Sequence, residues 1–172
     1  MLRKINTIKY LGMFWAIIGL TLILTYAIVR LTPHSIEALR RGLSFIEWII
    51  LLVWCGFMLF AEGYKGFHKQ FSPRFVSRAL YLFKNPRLTY IVFAPLFCMG
   101  YIHSSLKRKL TAWILSLSIV VLVLGVKLIA QPWRGIIDVG VILGLMYGLA
   151  SVYYWTARVI ISKNYEVDPE VE

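Results

Sequence analysis

Five stretches of this 172-residue chain run without a charge, and they constrain its fold more than any other feature. Twenty uncharged residues, YLGMFWAIIGLTLILTYAIV, lie between Lys9 and Arg30, and nineteen, LTYIVFAPLFCMGYIHSSL, between Arg87 and Lys107. Residues 110–126 give seventeen more and 139–157 another nineteen. The shortest, WIILLVWCGFMLFA, holds fourteen between Glu47 and Glu62, and reaches spanning length once the preceding LSFIE is counted. A bilayer core is crossed by about 20 predominantly apolar residues of helix. With 59% hydrophobic residues and a mean hydropathy of +0.72, the composition agrees with a membrane protein and not with a soluble domain.

The expectation is one all-α domain over residues 1–172, a polytopic membrane helix bundle. Its five spans fall at 10–30, 44–62, 88–105, 110–128 and 136–157. The chain begins MLRK and enters an apolar run with no small-residue cleavage pattern, so the first helix reads as uncleaved. In a four-span version, residues 88–106 enter and return without crossing. Cytoplasmic connections carry the excess of Lys and Arg. With the N-terminus inside, five spans put 11 Lys and Arg inside against 8 outside, and four spans put 14 against 5. Charge favours four, but nineteen apolar residues must then stay on one side, so five is the retained reading.

Between the apolar runs, TPHSIEALRRG reads as a short surface helix, with Thr32 as cap, Pro33 in the first turn and Gly42 at the end. In EGYKGFHKQFSPRF, residues 62–75, Gly63 and Gly66 suggest a sharp exit from the membrane, and Ser72-Pro73 a fresh helix start. Asn85-Pro86 is the stop. At 100° per residue, Phe75, Val76, Ala79, Leu80, Leu82 and Phe83 share one arc, with Arg74, Ser77, Arg78, Tyr81 and Lys84 opposite. An amphipathic interfacial helix over 73–84 follows, with Lys65, Lys69, Arg74 and Arg78 meeting anionic lipid phosphates. The net charge of +11 is assigned to topology and lipid, since no nucleic-acid motif accompanies it. Residues 163–172 form a polar tail.

Gly140, Gly144 and Gly148 stand four apart in the last run, a smooth strip for close approach of another helix. Gly12, Ala16 and Gly19 offer a matching face within the chain, with homo-oligomerisation as the alternative. Trp133 and Tyr153, Tyr154 and Trp155 bracket that run about 33 Å apart at 1.5 Å per residue, as two aromatic belts would. Pro95 can kink the third run.

Ionisable groups inside membrane helices are functional candidates because burying them is costly. Asp138 lies four residues after Arg134, and an interfacial ion pair between them is the plain reading. The sharper one joins Asp138 to Lys127 or another charge in a polar cleft. Glu47 and Glu62 flank the second span, and Glu62 can pair with Lys65. His34, His68 and His103 offer no mid-membrane pair for haem. Cys55 and Cys98 fall in apolar runs and read as packing residues. No metal-ligand spacing, P-loop, nucleophile elbow or dinucleotide turn is present in the sequence, and no cofactor or metal is expected.

FAEGYKGFHKQFSPRF and QPWRGIIDVG resemble segments of small uncharacterised bacterial inner-membrane proteins. The resemblance implies a bacterial inner membrane and no catalytic residues. The leading expectation is a non-enzymatic accessory or assembly protein that binds a partner, anionic lipid, or both. A membrane-embedded enzyme acting on a lipid or isoprenoid phosphate is one alternative. There Lys65, Lys69, Arg74 and Arg78 would hold the phosphate, with Glu62 or Asp138 as acid or base. A small transporter or channel subunit is the other.

Overall fold

The computed structural model describes residues 2–85 and 88–162, together with 169 and 171, with side chains from residue 10 apart from those at 88 and 162. It is all-α, with no strand among the described residues. Four helices are long and apolar enough to cross a membrane: Tyr10–Arg40, Phe45–Lys84, Leu106–Val126 and Trp133–Ile161. The polar tail expected at 163–172 lies almost wholly outside the described residues.

Helix α1 (Leu2–Arg40) does not stop at the expected surface helix. It runs through Pro33, and the Thr32 hydroxyl donates back to the Ile28 carbonyl at 2.7 Å instead of capping a new start. Proline removes one backbone donor, a loss that a membrane helix tolerates where serine or threonine hydroxyls and neighbouring helices re-satisfy the backbone. Gly42, at φ 78, makes the actual turn. Helix α2 (Phe45–Met58) then opens with a capping box: Ser44 N–H donates to Glu47 Oε2 at 2.7 Å, and Glu47 N–H returns to Ser44 Oγ at 3.4 Å.

No exit turn follows α2. The chain continues as a π-helix over Leu59–Phe71 and then as α3 (Ser72–Lys84), one unbroken helical rod. Gly63 and Gly66, read from the sequence as a turn, both stay helical. Gly63 is there because the Tyr147 ring presses on it, and a Cβ would lie 2.9 Å from Tyr147 Cγ. Helix α3 is not a surface helix either. Phe75, Val76, Ala79 and Leu82 are buried, but so are Ser77 and Arg78 on its other side.

Residues 88–105 form two short helices, α4 (Leu88–Val92) and α5 (Ala94–Met99). The break falls at non-helical Phe93, and Pro95 sits in the first turn of α5, where it has no N–H to give the Ile91 carbonyl and carry the α4 ladder on. Gly100, left-handed at φ 90, stops α5. Pieces of 5 and 6 residues are far short of a bilayer. One face of the segment goes into protein instead: Tyr90, Ala94, Phe97 and Cys98 join Ala16, Leu20, Phe75 and Leu82 in the core, while Val92, Phe93 and Leu96 stay exposed. The four-span version is therefore the one that the structure carries. Helix α6 (Leu106–Val126) follows, touching Tyr101 in the turn after α5 through Trp113 and Ser116, and α7 (Trp133–Ser162) runs antiparallel to α1 and parallel to α2.

Candidate functional site

The glycine strip of α7 lies against the α2–π rod. Gly140 receives the Trp54 indole, whose Nε1–H donates to the Ile137 carbonyl at 3.2 Å. Gly148 receives the Phe67 ring, 2.6 Å from where a Cβ would stand. Between them Gly144 receives the Glu62 carboxylate, and a Cβ there would meet Oε2 at 2.8 Å. The strip thus faces the second span and not α1. Gly12 instead meets Ile91, and Gly19 meets Pro95.

Further along the same seam, His68 Nδ1 lies 3.1 Å from Ser151 Oγ, and the Trp155 Nε1–H donates to the His68 carbonyl at 3.1 Å. The rings of Tyr64, Tyr147, Tyr154 and Trp155 surround the imidazole, with centroids between 5.6 and 6.4 Å away. Nothing in the sequence reading singled out this box. Its traces are the spacing of Tyr64 and His68 on one rod and of Tyr147, Ser151 and Trp155 on another, each about one helical turn apart.

Where α1 ends and α7 begins, a second polar group forms. Arg134 NH2 donates to His34 Nε2 at 2.7 Å. Gln131 ties the two helices together, donating to the His34 carbonyl at 3.2 Å and accepting from Gly135 N–H at 3.1 Å. Asp138 is 3% exposed and within electrostatic reach of Arg134 and His34. The expected ion pair with Arg134 does not form among the described residues, the Arg134 NH2 being turned to His34. Asp138 Oδ2 and Arg134 Nε have no hydrogen-bond partner among the described residues. Lys127, the other suggested partner, is exposed at the end of α6.

The four cations assigned to lipid separate. Arg74 is exposed; Lys65 and Lys69 are also exposed, but their ammonium groups lie over the Phe60 and Tyr64 rings at 4.8 and 4.9 Å. Spacing of five residues brings each pair together, as a π-helical turn does. Arg78 has no exposure. It donates to the carbonyls of Ile102 and His103 and lies 4.5 Å from the Phe97 ring centroid, so no lipid phosphate reaches it. Glu47 is a helix cap. Cys98 is wholly buried, which pushes its thiol up, and Cys55 is half-buried. No group of three His, Cys, Asp or Glu side chains comes together among the described residues. Asp138 and the basic residues near His68 stand at opposite ends of α7. From Asp138 to Trp155 the helix rises about 25 Å, so a phosphate on Lys69 lies out of reach of an Asp138 base.

Rod, seam and apolar exterior define a polytopic helical membrane protein with ionisable groups set into its helix contacts. No family model, curated protein or solved structure matches the chain, so its function is argued from its own residues.

Proposed function

We propose that the chain is a non-enzymatic accessory protein of a bacterial inner membrane that joins a partner membrane protein along α6. The observation that carries this reading is the packing of α6. Of the four spans, α1 and α7 have 33% and 44% of their apolar window buried inside the protein and the rod Phe45–Lys84 has 6%, whereas α6 has none. Helices tethered within one chain meet at high effective concentration. Close van der Waals packing in a membrane needs only matching surfaces. An apolar helix joined to α7 by residues 127–132 that still leaves the bundle uncovered is shaped for another surface. Anionic lipid at Lys65, Lys69 and Arg74 would complement this at the basic end of the rod, where Arg78 has no part.

The test places a photo-crosslinking side chain at Leu117 or Val121 on α6, with Tyr26 on α1 as the control position. The expected outcome is one defined protein captured from both α6 positions and not from Tyr26. Adducts with lipid alone at both α6 positions would overturn the accessory reading.

A further inference from the structure

We propose that Glu62 is a proton-binding site inside the membrane, a carboxyl group that takes up and releases H+ in the seam between the π-helical stretch and α7. The inference stands apart from the accessory reading and needs no partner.

Depth is the first observation. Glu62 faces Gly144, five residues into the uncharged run 139–157 of α7. At 1.5 Å per residue the carboxylate lies about 7 Å below the start of that run, inside the layer where a fixed charge is expensive. The second is room made for it. A side chain at 144 would collide with Oε2 and Cδ at 2.8 and 3.2 Å, so glycine is what lets the carboxyl lie against the α7 backbone. A glutamate serving only solubility would turn toward the headgroups.

Third, the obvious counter-ions are engaged elsewhere. Lys65 and Lys69 lie over Phe60 and Tyr64, and Arg134 is held by His34. Glu62 makes no ion pair and no hydrogen bond among the described residues. The protonated form removes the unmatched charge, and forming it makes and breaks only an O–H bond. The other ionisable groups on the two elements that meet here are Tyr64, Lys65, His68 and Lys69 on the π stretch and Arg134, Asp138, Tyr147, Tyr153, Tyr154 and Arg158 on α7.

Those groups also give a direction. The Tyr147 ring presses on Gly63, the neighbour of Glu62, and its centroid is 6.4 Å from that of His68. His68 in turn meets Ser151. Polar side chains therefore lie between Glu62 and the basic end, and the proposal takes that end as the side of exchange.

The experiment uses the full chain in lipid nanodiscs and dicyclohexylcarbodiimide, an apolar reagent that modifies carboxyl groups in their protonated form. Peptide mass spectrometry reads the modified residue. The proposal expects Glu62 to carry the label, with less modification as pH rises, and no label there in Glu62→Gln. An infrared band of a protonated carboxyl, present at low pH and missing in Glu62→Gln, is the second expected reading. Label spread equally over Glu47 and Glu62, an unlabelled Glu62 without the infrared band, or protection by sodium but not by choline would each overturn it. The last would make the occupant a metal cation.

Discussion

At the scale of single residues, Arg78 shows how far side-chain chemistry and sequence position can part. On a helical wheel it sits with Arg74 and Lys84, a cation on a polar stripe. In the fold that stripe is covered, and the guanidinium serves the carbonyls of Ile102 and His103 in the turn after α5. Leaving such buried acceptors without a donor costs about 1–3 kcal/mol. Arg78→Leu should therefore lower the unfolding midpoint of the detergent-solubilised protein clearly, while Arg74→Leu, at an exposed position, should move it by at most about 0.5 kcal/mol in stability. Equal effects would return Arg78 to the surface. Other residues were readable and went unread: Ser44-x-x-Glu47 is a capping-box spacing, and it fixes Glu47 as a helix start.

Among the elements, residues 88–105 carry the main lesson about what hydropathy encodes. An apolar run says that water is excluded, not whether lipid or protein excludes it. Pro95 and Gly100 were visible, but their consequence depends on Gly19 of α1, which takes Pro95 into contact. Gly63 and Gly66 misled for the same reason. Glycine permits a turn, yet here it permits Tyr147 to approach a continuous helix. The glycine strip of α7 was legible as a packing surface, while its partner was not, because Trp54, Glu62 and Phe67 share a face only once the π-helix has reset the helical phase. The non-crossing of α4 and α5 has a direct check. In a Cys55→Ser, Cys98→Ala background, Asn85→Cys and Lys107→Cys should both react with a membrane-impermeant maleimide from one and the same side. Reaction from opposite sides would restore a fifth crossing.

For the whole molecule, the four-span count changes what the charges mean. With both chain ends on the same side as the α3–α4 and α5–α6 connections, only Arg30, Arg40, Arg41, Lys127 and Arg134 lie toward the other side, and fourteen of the nineteen Lys and Arg share the first. That asymmetry is what a cytoplasmic face requires, because orientation follows Lys and Arg in short connections and near helix ends. Both ends should therefore be cytoplasmic, with the α1–α2 turn at Gly42 and the His34–Arg134 group outside. A fluorescent protein that matures only in the cytoplasm should be bright on the C-terminus, and alkaline phosphatase fused after Gly42 should be active. The reverse pair of results would invert the molecule. It would also move the exchange side of Glu62, which follows His68 and Ser151, to the outer face. Under the orientation that the charges favour, the Glu62 carboxyl meets the cytoplasmic proton pool, and the polar group around Asp138 is the part of the seam that faces outward.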